Sequence, residues 1–86
     1  MTVGGKPGRR EMITEIVVSL PVKLNLVGEL GVDQDLSNLG LKSFDLVQLM
    51  LAVEEAFDLE IPSHLITAES FSSVGAIERL INSLVS

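Results

Sequence analysis

Residues 39 to 62 read "LGLKSFDLVQLMLAVEEAFDLEIP", and this stretch decides the fold. From Ser43 onward, ten of the first fifteen side chains are apolar. They recur at intervals of three and four residues, which predicts an α-helix from about Ser43 to Phe57. One continuous stripe of this helix is wide enough to dock on neighbouring helices. It consists of Leu46, Met50, Val53 and Phe57, widened by Leu49 and Ala56.

A second stripe on the same helix is too apolar for a face that only contacts water. It consists of Phe44, Gln48, Leu51 and Glu55, with Val47 beside it and with Asp45, Glu54 and Asp58 at its border. An apolar centre with a charged rim is typical of a protein-docking surface. We therefore predict that this side of the helix binds partner proteins. The alternative is that a thin domain buries the helix on all sides beneath a long loop.

Two further helices are predicted on either side of this segment. Residues 9 to 20 carry apolar side chains at helical spacing, and Pro21 ends or kinks that helix. The last helix is expected to begin after Ser72 or Ser73, either of which can be its N-cap, and to run to about Leu84. The side chains expected to face inward are Ile13, Ile16, Val17 and Leu20 on the first helix and Val74, Ile77, Leu80, Ile81 and Leu84 on the last.

The connections between the helices are unequal. Residues 21 to 42 form a long loop, which is uncommon unless the loop has structure or function of its own. We expect a helical turn near residues 22 to 29 and an apolar anchor set that holds the loop on the core. The anchor set is Leu24, Leu26, Val27, Leu30, Leu36 and Leu39. The second connection is expected to contain a short helix over residues 63 to 68, capped by Ser63.

No segment alternates with period two for long enough to predict a strand. The expected fold class is therefore all-α: a small bundle of three main helices plus a short third helix in chain order, with a long loop between helices 1 and 2. Residues 1 to 8 are expected to form a flexible N-terminal lead, followed by one domain over residues 9 to 86. A chain of 86 residues is only just long enough for a single core.

Composition excludes several classes of function. The chain has no cysteine and one histidine, so disulfides, thiolate metal sites and a cysteine nucleophile are excluded. Asp33, Asp35 and Ser37 resemble the start of a calcium loop, but the required glycine and closing glutamate are missing, and we predict no metal site. No long apolar stretch predicts a signal peptide or a membrane span, and we expect a soluble cytoplasmic protein.

The charge of the chain argues against some partners and favours others. The net charge is −6, and residues 24 to 78 contain ten carboxylates against Lys42 alone. Such a surface repels nucleic acid and anionic membranes and attracts basic protein surfaces. We therefore expect no nucleic-acid or membrane partner. The same charge also serves to keep a small hydrophobic domain soluble, and charge alone does not choose between these interpretations.

Ser43 has three competing interpretations. As a plain N-cap, its hydroxyl accepts a hydrogen bond from the amide of Asp45 or Leu46. As a hydrolase nucleophile it needs a base and an orienting acid, and the motif GLKSFD is not a nucleophile elbow. As a site of covalent phosphate attachment it is well placed, because free amides and the positive end of the helix stabilise an added phosphate and Lys42 supplies a cation. We predict no catalytic residues.

These residues resemble the acyl and peptidyl carrier proteins. The resemblance rests on "LGLKSFDLVQLMLAVEEAFDLEIP" followed by "SFSSVGAIERLI", and it covers about residues 12 to 85. It implies that the protein is not an enzyme and that a separate phosphopantetheinyl transferase attaches 4′-phosphopantetheine to Ser43. The terminal thiol then holds an acyl or aminoacyl group as a thioester. The positions that the resemblance and the outer stripe together assign to partner binding are Lys42, Phe44, Asp45, Val47, Gln48, Leu51, Glu54 and Glu55.

Two departures from the family pattern bear on the pathway. Lys42 stands where fatty-acid carriers usually have Asp, and Gln48 replaces a common acid. Both changes lower the negative charge near Ser43, which favours a dedicated pathway over housekeeping fatty-acid synthesis. The run "SFxxVQLMLxxEEAFDxExP" is also similar to the stand-alone carriers that bacterial amino acid:carrier protein ligases load. The implied partners are that ligase or a synthase and a downstream transferase, with the carrier as a monomer.

The chief alternative is an unmodified helical protein-interaction module. In that interpretation Ser43 only caps the helix, and the acidic surface binds another protein. The mass of the intact protein after co-expression with a phosphopantetheinyl transferase distinguishes the two, because only a carrier gains the arm.

Overall fold

The computed structural model describes residues 8 to 85 and contains three α-helices. These are α1 (Arg9–Ser19), α2 (Ser43–Phe57) and α3 (Val74–Val85). Two single turns of 3₁₀ helix lie between them, at Ser37–Leu39 and Ser63–Leu65. The described residues form no strand. The all-α prediction with three main helices is confirmed, and the predicted N-terminal lead lies almost wholly outside the described residues.

Helix α1 packs against both α2 and α3. Its first turn is closed by Glu11, whose carboxylate accepts a hydrogen bond from the backbone N–H of Gly8 at 2.9 Å. It ends at Ser19, two residues before Pro21, as the sequence predicts. An ion pair of 3.0 Å between Arg10 and Glu78 joins it to α3. Both partners retain contact with water, so this pair contributes little to stability.

The core is built mainly from aliphatic side chains of all three helices and the long loop. Ile13, Val17, Leu36, Leu49, Val53, Phe71, Val74, Ile77 and Ile81 are fully buried. The partly buried hydrophobic residues packed against them include Ile16, Leu20, Leu46, Met50, Phe57 and Leu84. The inward-facing residues predicted for α1 and α3 are therefore confirmed. No helix among the described residues is both long and apolar enough to cross a membrane.

The long loop is held on the core by leucines and by its backbone. Leu36 and Leu39 are buried, whereas Val27 is 94% exposed and its predicted anchoring role is wrong. Leu24, Leu26 and Leu30 are partly buried. The predicted helical turn at residues 22 to 29 is also wrong, since the regular turn of the loop forms later, at Ser37–Leu39.

Two backbone hydrogen bonds fasten the loop to the start of α3. The amide of Leu36 donates to the carbonyl of Ser72 at 2.8 Å, and the amide of Gly75 donates to the carbonyl of Val32 at 2.9 Å. A Cβ atom on Gly75 would lie 3.0 Å from the Val32 side chain and 3.3 Å from its carbonyl oxygen. Glycine at this position therefore permits the close approach of loop and helix.

The second connection is less helical than the sequence predicts. The expected helix over residues 63 to 68 is reduced to the turn Ser63–Leu65, and Ser63 lies inside that turn after Pro62 instead of capping it. The Thr67 hydroxyl accepts a hydrogen bond from the amide of Ser70 at 3.0 Å. Such local bonds from side chain to backbone compete with helical ones, which explains why the helix does not continue. A four-helix bundle is therefore not formed.

Candidate functional site

Ser43 is the first residue of α2 and its side chain is exposed. The chain reaches it through a tight turn, because Gly40 has φ of +109° and closes the 3₁₀ turn at Ser37–Leu39. Leu41 is then buried and fixes the chain on the core, while Lys42 is extended and points the next residues outward. The loop thus presents one hydroxyl group at the start of a helix that is itself firmly packed.

The cap of α2 is Lys42 and not Ser43. The Asp45 carboxylate accepts a hydrogen bond from the backbone N–H of Lys42 at 2.9 Å, and this bond closes the first turn. The interpretation of the Ser43 hydroxyl as the N-cap acceptor is therefore wrong. Among the hydrogen bonds of residues 8 to 85, none involves that hydroxyl, and Ser43 is exposed.

Two acids predicted to border the outer stripe of α2 turn toward the backbone instead. Asp45 is only 9% exposed, because its carboxylate folds back onto the Lys42 amide. Glu54 is partly buried and accepts a hydrogen bond from the amide of Ile61 at 2.7 Å. That bond ties the segment that follows α2 back to the last turns of the helix. The prediction that Asp45 forms an exposed rim is wrong, and Glu54 is largely occupied by an internal contact.

The outer stripe of α2 itself is exposed. Phe44, Val47 and Leu51 are 66%, 52% and 54% exposed. Gln48 and Glu55 are exposed beside them. We call the surface of Phe44, Val47, Gln48, Leu51 and Glu55 the outer face of α2.

The inner face consists of the fully buried Leu49 and Val53 with the partly buried Leu46, Met50 and Phe57. Ala56, predicted to face inward, is exposed. The alternative in which the helix is buried on all sides is wrong, because the long loop covers only one side of α2.

Two depressions flank Ser43, and they differ in charge. One, of about 340 Å³, has an apolar floor that includes Leu41 and Phe71, and the carboxylates of Asp35 and Glu69 in its wall. The other is a shallow groove of about 760 Å³ whose charged side chains are Lys23, Lys42 and Asp45. Lys42 lies between the two depressions and lines both. The Ser37 hydroxyl and backbone amide donate to the Asp35 carboxylate, and they hold the pKa of Asp35 below its usual value. The flanks of Ser43 therefore differ in charge, with Asp35 and Glu69 on one side and Lys23 on the other, while Lys42 is common to both.

The sequence predicts Lys42 beside Ser43 but gives no sign of Lys23 or Glu69. Lys23 and Glu69 come from segments distant from Ser43 in the chain, and only the packing of the long loop and of residues 68 to 72 brings them to the site. No motif marks either residue. His64, the single histidine, is exposed and lines neither depression.

Comparison with known proteins identifies the class to which this fold and exposed serine belong. Residues 15–81 match the family described as "Phosphopantetheine attachment site". The chain belongs to this family, and it is a carrier protein whose cofactor is phosphopantetheine and which is not itself an enzyme. The exposed Ser43 hydroxyl at the start of α2 fits this cofactor, because the amides of the first helical turn and Lys42 favour a phosphate there.

Individual relatives narrow the class further. The chain is 46% identical to the aminoacyl carrier protein of Agrobacterium fabrum over 59 residues, which are 69% of this chain and 68% of that protein. It is 38% identical to aminoacyl carrier protein 1 of Bradyrhizobium diazoefficiens over 72 residues, covering 84% and 80% of the two chains.

Solved structures show similar chains. The engineered glycine:[carrier protein] ligase of Bradyrhizobium japonicum, in complex with a carrier protein from Agrobacterium tumefaciens and ATP, contains a chain with a TM-score of 0.79 and 39% identity. The match covers 88% of this chain and 99% of that one. The same ligase in complex with glycylated carrier protein contains a chain with a TM-score of 0.69 and 35% identity, covering 84% and 96%.

Proposed function

We propose that Ser43 carries the 4′-phosphopantetheine arm and that the thiol of the arm holds an amino acid as a thioester. A dedicated amino acid:carrier protein ligase loads the thiol, and a downstream transferase accepts the cargo. The observation that carries this proposal is the exposed Ser43 hydroxyl, uncommitted to helix capping, beside the exposed outer face of α2. Glycine is the first candidate cargo, because similar chains occur in complexes with a glycine:[carrier protein] ligase.

The chemistry divides between this protein and its partners. A phosphopantetheinyl transferase joins the Ser43 oxygen, which loses its proton, to the phosphorus of coenzyme A, whose phosphoanhydride bond breaks as adenosine 3′,5′-bisphosphate leaves. The ligase activates the carboxyl group of the amino acid with ATP as an acyl adenylate, releasing pyrophosphate. The thiol sulfur of the arm then loses its proton and displaces AMP from the carboxyl carbon. The carrier supplies neither base nor acid for these steps. It contributes a fixed position for the arm and a surface that partner enzymes recognise.

The outer face of α2 is the surface proposed to dock the ligase. Phe44, Val47 and Leu51 form an apolar centre next to Ser43, and Gln48 and Glu55 border it. Burial of these apolar side chains against a partner releases water and favours association. Lys42 lies at the Ser43 end of the same surface.

Asp45 and Glu54 act behind this surface, since each orients the backbone at one end of the helix that carries it. The uncharged Gln48 and the cationic Lys42 support a dedicated ligase over the enzymes of fatty-acid synthesis, which use carriers with more acid near the serine. The acidic chain also supports protein partners over nucleic acid.

Intact-mass measurement after co-expression with a phosphopantetheinyl transferase tests the attachment site. We expect the wild-type protein to gain one phosphopantetheine and Ser43→Ala to gain none. Ser37→Ala is the matched control, because Ser37 lines a depression beside Ser43 but belongs to the preceding turn. Since the Ser43 side chain caps nothing, Ser43→Ala should change the free energy of unfolding by less than about 0.5 kcal/mol.

Loading assays then test the cargo. The holo protein is incubated with ATP, an amino acid:carrier protein ligase and each amino acid in turn, and thioester formation is followed by mass. A mass gain for glycine or another amino acid that hydroxylamine reverses supports the proposal. An arm acylated only by fatty acyl synthetases would overturn the aminoacyl assignment. An unmodified wild-type protein would overturn the attachment site and favour a plain interaction module.

A further inference from the structure

The basic groove beside Ser43 is unusual for so acidic a chain. Lys23 and Lys42 both line it, and both are exposed. Asp45 lines it too, but its carboxylate accepts the hydrogen bond from the Lys42 amide and is nearly buried. Within residues 8 to 85, the ion pair between Arg10 and Glu78 involves neither lysine. Between residues 24 and 78 Lys42 is the single cation, so the residue next to Ser43 is positive in an otherwise acidic stretch.

The backbone of the loop fixes the position of Lys23 relative to Ser43. A Cβ atom on Gly40 would lie 3.4 Å from the carbonyl oxygen of Lys23, so the two segments are in contact three residues before Ser43. The amide of Asn25 donates to the carbonyl of Leu39 at 2.8 Å and holds the same pair of segments together. Lys23 therefore projects from an anchored backbone, although its side chain is long and exposed.

In the other depression at Ser43, the carboxylates of Asp35 and Glu69 outnumber the one cation, Lys42, which lines both depressions. Asp35 is held in its ionised form by Ser37, which donates two hydrogen bonds to its carboxylate at 2.7 and 2.9 Å. A phosphodiester carries one negative charge, so this flank repels it while the lysine flank attracts it.

We propose that Lys42, which lines both depressions, and Lys23, which lines only the groove, together hold the phosphodiester of the attached arm in that groove, so that the arm leaves Ser43 on the flank of Lys23 and not on the flank of Asp35 and Glu69. This inference rests on the proposed attachment at Ser43 and assigns a direction to it. Phe44 lines the same groove and also belongs to the outer face of α2. The two lysines are positioning residues: they direct the root of the arm toward the face on which the ligase docks.

Amide chemical shifts of the apo and holo proteins test the direction of the arm. The amides of Lys42 and Ser43 should shift for any direction, so they decide nothing. The informative amides are those of Lys23 on one flank and of Asp35 and Glu69 on the other, since all three are remote in sequence from Ser43. We expect attachment of the arm to shift the Lys23 amide and to leave the other two nearly unchanged.

The melting temperature supplies a second measurement. At low salt, the increment in melting temperature from the apo to the holo protein should be smaller in Lys23→Gln and in Lys42→Gln than in the wild type, by about 1 to 4 °C. This is the size expected for one exposed ion pair in a domain of this length. Lys42→Arg should retain the increment. Arg79→Gln is the control for loss of one positive charge elsewhere, because Arg79 lies on α3 and lines neither depression. High salt should remove the difference between the variants.

The outcomes separate this inference from the proposed function. If the protein gains the arm at Ser43 but the shifts concentrate at Asp35 and Glu69, the direction is wrong while the attachment stands. An increment that is equal in the wild type, Lys23→Gln and Lys42→Gln also overturns the lysine contact alone. If the intact mass shows no arm on Ser43, the proposed function and this inference fail together.

Discussion

Both faces of α2 carry large apolar residues, yet they lie in opposite environments. On the inner face Leu49 and Val53 are fully buried, whereas on the outer face Phe44 and Leu51 are more than half exposed. The difference is set by the neighbours of the helix, since α1, the long loop and the core cover one side only. Apolar residues left uncovered beside the proposed modification site are therefore available to partners.

The boundary between the faces is polar, but its acids do not all point outward. Asp45 closes the start of α2 through the Lys42 amide, and Glu54 closes its end through the Ile61 amide. A carboxylate bonded to backbone N–H groups stabilises the chain path and has fewer acceptor positions left for a partner. Charged residues next to a docking surface can thus be structural supports of the helix that carries it.

The largest contrast between the faces is expected from the same substitution on each. Leu49→Glu places a carboxylate in the core without a partner, and the cost of several kcal/mol should prevent folding of so small a domain. Leu51→Glu should change the free energy of unfolding by less than about 0.5 kcal/mol, because the side chain stays in water. Circular dichroism with denaturant titration measures both variants.

Loading by the ligase gives the second half of this comparison. In holo Leu51→Glu the rate of thioester formation should fall sharply, because docking would bury an unpaired carboxylate. The matched control is Val18→Glu, a change at a half-exposed position of α1 that lies outside the outer face of α2. An unfolded Leu51→Glu variant, or one loaded at the wild-type rate, would contradict the assignment of the outer face.

A smaller loss of stability is expected where the long loop joins the inner core. Leu36 is fully buried, and Leu36→Ala should destabilise the protein by about 2 to 5 kcal/mol. Val27→Ala removes a similar side chain from the same loop but at an exposed position, so its effect should stay within about 0.5 kcal/mol. Equal denaturant midpoints for the two variants would show that the loop is not anchored as described.

The two neighbouring glutamates at the end of α2 offer a third contrast. Glu54→Ala removes the acceptor for the Ile61 amide and should cost about 1 to 3 kcal/mol, as expected for a hydrogen bond to a charged group. Glu55→Ala should leave stability within about 0.5 kcal/mol but slow loading by the ligase, since Glu55 belongs to the outer face. The reverse pattern, with Glu55 stabilising and Glu54 affecting only loading, would exchange their roles.

Much of this architecture is predictable from the sequence, because it depends on periodicity. The bounds of α2, the inward residues of α1 and α3 and the exposure of Phe44 and Leu51 all follow from helical spacing. Residue type was less informative about the N-cap of α2, where the adjacent polar residues Lys42 and Ser43 are both candidates. Lys42 became the N-cap instead of Ser43, because Asp45 lies at the spacing that lets its carboxylate bond back to the Lys42 amide.

The charges around Ser43 could not be predicted in the same way. Lys23 and Glu69 reach the site only through the path of two irregular segments, and no periodic pattern constrains such paths. Val27 illustrates the same limit, since an apolar residue in a loop is buried only if the loop happens to turn it inward. Tertiary contacts of loops are therefore the part of the site that required a structure.

The smallest expected effects come from two aspartates of α2 that the sequence placed on the same border. Asp45 lies in the first turn of the helix, and Asp58 is its C-cap residue with φ of +52°. The helix dipole favours negative charge at the first position and disfavours it at the second. Asp45→Asn should therefore destabilise the protein by about 0.3 to 1 kcal/mol, and Asp58→Asn should stabilise it by a similar or smaller amount.

Each of these variants removes one negative charge, so any general relief of repulsion is common to both and cancels in their difference. That difference, measured from denaturant midpoints, should shrink at high salt because the dipole contribution is screened. Loading of holo Asp45→Asn should remain at the wild-type rate, because the Asp45 side chain is buried against the Lys42 amide and lies behind the outer face. A loss of loading without a loss of stability would contradict this assignment, and Asp45 would then belong to the outer face of α2 that docks the ligase.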